Sequence, residues 1–298
     1  DLNLVMSKIQ AYMGKHSIPG VSIAVTKDGR LVYAAGFGKA DQASGEEVSP
    51  DNLFRIASVS KPITSVAIMR LLEQGKITSL DKKVFGPNSI LGAKYPTPDG
   101  NKKIENITVR QLLEHVSGFT NAYGDPMFEN RNYTHDQLIN WAIANKVPFN
   151  NAGSIYEYAN FGYCLLGRII EQASGQSYET YVRNNILNSA GITRMVIGGN
   201  SPADRKAREV VYYPASAYNL NVQRFDSHGG WIASPVDLMR LMVRVDGLAA
   251  KPDVVNATSY TTMTTKPGIK DKTGNDPNYA FGWVVGSGFI VDVTQRYF

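Results

Sequence analysis

The sequence predicts an α+β fold, and three observations carry that prediction. Residues Gly20 to Thr26, GVSIAVT, and Leu31 to Gly38, LVYAAGFG, alternate small and apolar residues around KDGR. Asp28-Gly29 is a favoured two-residue hairpin turn, so the pair reads as an antiparallel hairpin. From Ser58 onward the apolar spacing turns helical and stays so over most of the chain. The end, FGWVVGSGFIVDV, is strand-like again. A sheet begun near the N-terminus is thus completed by segments far away in sequence, around a long helical insert.

Each element has its own signal. Leu4 to Met13 carries apolar residues near helical spacing and predicts an N-terminal helix. Apolar residues at Ile63, Val66, Ala67, Met69, Leu71 and Leu72 define a helix starting at Ser58 and stopped by Gly75, with Pro62 in or just past its first turn. Residues 85–105 are rich in Gly, Pro and Asn and read as a long loop. Thr108 caps a short helix, VRQLLEHV, ending at Ser117-Gly118. Asn160 to Ala173 is a strongly amphipathic helix and Tyr178 to Ile186 another. Ser234 with Pro235 opens a further helix, running to Val245.

Composition narrows the function. The chain has 298 residues, 43% hydrophobic and 19% charged, enough for a sizeable core and unlike a disordered chain. The net charge of +5 is spread out, with no run of five like charges, so it describes a solvated surface rather than a nucleic-acid footprint. A single cysteine, Cys164, excludes an intrachain disulfide and a cysteine-based zinc site; in YCLLG it reads as packing. No apolar run has the length of a membrane span. No pair of histidines has metal-ligand spacing.

The chemistry begins at FRIASVSKPIT, Phe54 to Thr64. Ser58 and Lys61 stand at i and i+3, on one face of a helix start. A serine hydroxyl becomes a nucleophile when a neighbour takes its proton, and a lysine can do so when its amine is neutral. The other S-x-x-K, Ser79 to Lys82, lies in a polar turn with no helix to align it. Further on, Tyr158-Ala159-Asn160 sits at a loop-to-helix junction. A phenol there can act as a base if a cation such as Lys61 lowers its pKa, and Asn160 can both donate and accept.

These motifs resemble those of penicillin-recognising serine enzymes, in the branch of class C β-lactamases, serine D-alanyl-D-alanine carboxypeptidases and related carboxylesterases. The segments IPGVSIAVTKDGRLVYAAGFG, FRIASVSKPITSVAIMRLLEQGKI, ITVRQLLEHVSGF and YEYANFGYCLLGRIIEQASGQSYETYV resemble that family in its order, over nearly the whole chain. The resemblance implies a β-lactamase/transpeptidase-like fold. Residues 1–57 with 279–298 would form a sheet-containing lobe and 58–278 a mainly helical lobe, with the active site between them. Ser58 would be the acylated nucleophile, Lys61 and Tyr158 would shuttle its proton, and Asn160 would position substrate. The substrate would be a small molecule or peptide: a D-amino-acid peptide, a β-lactam or an ester. A carboxylesterase of the same family and a non-catalytic ligand-binding homologue are the alternatives. No metal or organic cofactor is implied, and the expected location is extracytoplasmic.

The family's third motif, K-T-G or H-x-G, has two literal matches. Lys272-Thr273-Gly274 lies among Gly, Asp, Asn and Pro and reads as a turn; His228-Gly229-Gly230 precedes a helix cap. The first has no strand pattern, and the second resembles a glycine pair that the family keeps ahead of a structural helix. The expectation is therefore that the third motif and the last strands lie beyond Phe298, and that a second polypeptide fragment or a longer chain completes the site. His115, in LLEHVSG, reads as structural. The loop-rich segments 120–150 and 201–226 would rim the pocket.

Overall fold

A computed structural model describes residues 2–97, 102–121, 124–146 and 148–286. The first helix, α1, spans Leu2–His16, and the hairpin follows as β1 (Gly20–Lys27) and β2 (Arg30–Asp41). Its turn residues Asp28 and Gly29 both have positive φ, 51° and 70°, the twist a two-residue hairpin needs. β1 and β2 pair in antiparallel register from Gly20 opposite Gly38, and β3 (Glu46–Glu47) adds to β2. Gly36 is required there, because a Cβ would stand 2.0 Å from the Val48 carbonyl oxygen.

A second small sheet has the order β4, β6, β5, from Phe54–Arg55, Trp231–Ala233 and Val196–Ile197. β4 leads directly to Ser58, and β6 follows directly on residues 226–230. Pairing of Arg55 with Ile232 therefore brings two distant chain segments to the same place.

The helical part contains α2 (Ser60–Glu73), α3 (Lys102–Glu105), α4 (Val109–Leu113), α5 (His135–Asn145), α6 (Asn160–Ser174), α7 (Tyr178–Val182), α8 (Pro235–Met242) and α9 (Ala257–Thr264). One core cluster joins α2, α4, α5, α6 and α7 through Ile68, Leu112, Leu138, Leu165 and Tyr181, all fully buried. α2 and α6 are both buried along most of their length. Thr108 and Gln111 form the capping box of α4: the Gln111 N–H donates to Thr108 Oγ1 at 3.3 Å and the Thr108 N–H to Gln111 Oε1 at 3.0 Å.

Several elements are shorter than the apolar spacing predicts. α4 stops at Leu113, because His115 takes a left-handed φ of 57°. The helix predicted over Tyr178 to Ile186 is α only to Val182 and then widens into a π turn, Arg183–Leu187. The long loop over 85–105 ends in α3. The strand predicted at the chain's end falls mostly beyond residue 286, outside the described residues; before that, Tyr279 and Val284 make an isolated bridge. Among the described residues no helix is long and apolar enough to cross a membrane.

Candidate active site

Ser58 does not open an α-helix as the spacing predicts. It sits in a 3-10 turn, Ala57–Val59, and α2 begins two residues later. Ser58 thus lies just ahead of the helix and Lys61 in its first turn. Lys61 Nζ lies 3.0 Å from Ser58 Oγ. Ala57, just before the serine, has φ 44°, a conformation that costs a non-glycine residue energy and sets the angle at which Ser58 enters the cleft.

Lys61 is fully buried at the head of α2. Its amine reaches three acceptors: Ser58 Oγ, Asn160 Oδ1 at 2.7 Å and the His228 carbonyl at 3.2 Å. Burial lowers its pKa to about 7, with Asp125 pulling the other way. Of the three acceptors, the Asn160 and His228 oxygens can only accept. A neutral Lys61 therefore keeps its two N–H bonds on them and turns its lone pair to Ser58.

Tyr158 approaches from the other side and donates to Ser58 Oγ at 2.8 Å. Here one expectation is corrected. The Tyr158 phenol is raised rather than lowered, because burial outweighs its bond to Ser58. Lys61 Nζ stands over the face of the Tyr158 ring, 4.6 Å from its centroid. Tyr158 is thus a protonated donor in the free protein.

Asn160, the first residue of α6, is fixed at both ends: its oxygen takes Lys61, and its Nδ2 donates to Asp125 Oδ2 at 2.6 Å. Asp125 caps the short turn Pro126–Phe128 through the Met127 N–H at 3.0 Å. Its pKa is raised, chiefly by burial, against the bonds from Asn160 and Met127. Sequence reasoning did not single out Asp125. The Asp-Pro pair signals a cap, but nothing local says that this cap meets Asn160.

His115 is buried under the Tyr158 ring, centroids 4.3 Å apart, and its Nδ1 accepts the Ala159 N–H at 3.1 Å. Burial, then Lys61, holds its pKa well below the ordinary value. It is a neutral wedge that sets the ring and the start of α6. The His228 ring packs on Phe225 and is held neutral by burial; its backbone carbonyl meets Lys61. That carbonyl is placed by Asp226 and Ser227: the Ser227 N–H donates to Asp226 Oδ1, Arg168 of α6 pairs with Oδ2, and Thr64 of α2 donates to the Ser227 carbonyl.

Lys272-Thr273-Gly274 is a turn, as read. Asp271 accepts from the Thr273 and Asn275 N–H groups, and Gly274 has φ 83°. The turn nevertheless borders the site. The Tyr156 N–H donates to the Lys270 carbonyl at 2.9 Å, and Lys272 and Thr273 line a surface pocket with Thr120 and Tyr158. Gly282 presses on Lys61: a Cβ would lie 3.0 Å from the Lys61 carbonyl carbon, at φ 79°. No group of His, Cys, Asp and Glu suited to a metal ion occurs among the described residues.

Comparison with known proteins bears on this constellation. The family model described as Beta-lactamase matches residues 5–290. Protein flp of Staphylococcus aureus is 30% identical over 187 residues, 62% of this chain and 36% of its own length. Penicillin-binding protein 4* of Bacillus subtilis is 26% identical over 296 residues, covering 91% of this chain and 60% of that protein. The chain thus spans less than two thirds of either relative. Among solved structures, the octameric penicillin-binding protein homologue from Pyrococcus abyssi superposes with a TM-score of 0.72 at 27% identity, over 95% of this chain and 64% of that one.

Proposed function

The chain belongs to the beta-lactamase family, and on that footing we propose that it is a serine hydrolase of amide or ester bonds that works through an acyl-enzyme on Ser58. The observation that carries the reading is the buried Lys61 amine, whose two fixed acceptors leave its third position for Ser58. In this reading neutral Lys61 takes the Ser58 proton as Oγ attacks the substrate carbonyl. The Ser58 backbone N–H, at the free start of the turn and helix, faces the developing oxyanion.

Tyr158 then gives its proton to the leaving nitrogen or oxygen. The phenolate so formed is offset by the Lys61 ammonium over its ring. In the second half, water attacks the ester and gives its proton to the Tyr158 phenolate. Ser58 Oγ leaves with the proton held by Lys61. Both groups return to their starting states, and one water is consumed. Asn160 would hold the substrate's acyl side. Substrates of this class, small peptides, lactams or esters, together with an extracytoplasmic location, belong to the same proposal.

Intact-mass spectrometry of the protein before and after a β-lactam or a fluorophosphonate tests it. The expected result is one adduct, mapped to the Ser58 peptide and absent in Ser58→Ala. Full ester hydrolysis by Ser58→Ala would sink the assignment.

A further inference from the structure

Glu114 is a buried carboxylate that the steps above leave unused. It follows α4 directly, and its side chain is only 8% exposed. Among the described residues no hydrogen-bond donor reaches it: Arg110 Nη1, one helical turn earlier, stands 4.0 Å from Oε1. Burial raises the carboxyl to about 7, against the pull of Arg110. A buried acceptor without a donor is costly, so the space that Glu114 faces has to be considered.

That space is a pocket. Arg110, Glu114, Thr261, Thr262, Thr265 and Lys266 line a cavity of about 350 Å³ between α4 and the end of α9, within the size range of small-molecule sites. Its lining divides into donors and acceptors. Arg110 gives its Nε–H to Asp81 Oδ1 at 2.9 Å and lies over the Phe281 ring, 5.9 Å from its centroid. Neither of its Nη groups has a hydrogen-bond acceptor among the described residues, and together they form a fork matched to a carboxylate. Thr262 and Thr265 donate their hydroxyls to the Thr258 and Thr261 carbonyls at 2.8 and 2.7 Å. Their oxygens, like the ionised Glu114 carboxylate, are thus left to accept. Lys266 is already engaged by Asp276 and Asn278.

This charge pattern selects the ligand. A simple anion would meet Glu114, and a simple cation would meet Arg110. A hard metal ion needs several anionic oxygens, and no such group occurs among the described residues. A dipolar ligand suits both walls. Its carboxylate takes the Arg110 fork, and the three N–H donors of its ammonium meet Glu114 and the two threonine oxygens. Because Arg110 and Glu114 approach to 4.0 Å, the two ligand charges must sit on neighbouring groups. We propose that the pocket between α4 and α9 is a second binding site, taking a free α-amino acid as its zwitterion, with the ammonium on Glu114 and the carboxylate on Arg110. Binding is non-covalent. None of the lining residues belongs to the Ser58 constellation, so the site does not depend on the hydrolase reading.

An NMR titration of the 15N-labelled protein at pH 8, where Glu114 is ionised, tests it. The ligands are alanine in each hand, propionate, isopropylamine and 6-aminohexanoate. The readout is the Kd from the amide shifts of residues 261–266. Alanine of at least one hand should bind about tenfold or more tighter than each of the other three, the worth of one charge-assisted contact. Glu114→Gln should weaken alanine about tenfold without weakening propionate. Arg110→Gln should weaken alanine without weakening isopropylamine. Ser58→Ala should bind alanine as the wild type does. Alanine no tighter than the single-charge ligands, no shifts at residues 261–266, or an unchanged Kd in Glu114→Gln overturns the site. Shifts confined to residues 158–160 would put the amino acid in the Ser58 cleft and overturn it as well. The wild-type comparison decides the matter even if a variant fails to fold.

Discussion

Lys61 shows how a single residue can work against the stability of its own fold. Burial brings its pKa from 10.5 to about 7. Between those values the unfolded chain holds the proton and the folded protein does not, so stability from this group rises with pH across that window. Below pH 7 both states are protonated and the full penalty of the buried ammonium remains. Lys61→Met should therefore abolish activity yet raise stability by ~1–3 kcal/mol at pH 6, with the gain fading towards pH 10. Denaturant melts at the two pH values check this; a variant less stable at pH 6 refutes it. Activity should follow the neutral amine. kcat/KM should fall about tenfold per unit of pH below roughly 7 and level off above it. The neighbouring Tyr158, raised by burial, should leave no acid limb of its own.

At the scale of elements, two short segments hold the site to its scaffold. The capping box of α4 precedes the His115 wedge, and Thr108→Ala should cost about 1 kcal/mol, read from a urea melt. A larger effect is expected at Gly282, which packs on the first turn of α2 with φ 79°. Gly282→Ala meets both a forbidden backbone and a clash at Lys61. It should cost on the order of 1–3 kcal/mol and lower the rate of Ser58 acylation, measured by stopped-flow with a chromogenic lactam or ester. An acylation rate equal to the wild type would mean that Gly282 does not hold Lys61. The Ser58–Lys61 pair was legible at this scale because i, i+3 spacing at a helix start puts two side chains on one face. The exact start of α2 was not, since Ala57 adopts a φ that propensity disfavours and tertiary packing imposes.

The whole molecule is tied together by a buried charge that sequence order does not suggest. Asp226 lies before β6 and Arg168 in the middle of α6, and they pair in the interior. Burial alone would raise the Asp226 carboxyl, but Arg168 first and then His135 hold it well below the usual range. Its contribution is present above the unfolded value of about 3.9 and is lost as pH falls through the folded value. Asp226→Asn should therefore cost ~3–5 kcal/mol at pH 7 and progressively less below pH 4, with lost acylation following from a displaced His228 carbonyl. Equal destabilisation at pH 7 and pH 3 would argue against the ion pair. Cys164, in the same helix, is fully buried and its thiol is raised to about 12. Native protein should resist alkylation that the denatured chain accepts at once.

The sequence by itself determined the hairpin, the amphipathic α6 and the capped helices, and it set Ser58 beside Lys61 by i, i+3 spacing, because periodicity, caps and close spacing are local properties of a chain. That Tyr158 and Asn160 join them is what the family resemblance implied. Only the tertiary structure decided how those groups are charged and what surrounds them. The pKa of the Lys61 amine is lowered to about 7 because the core of the helical part desolvates it, and Tyr158 stays protonated for the same reason. Asp125 enters the site from a cap 35 residues before Asn160, and the His228 carbonyl arrives from 167 residues beyond Lys61. Desolvation and long-range contact depend on the packing of distant segments, and no window of sequence contains them.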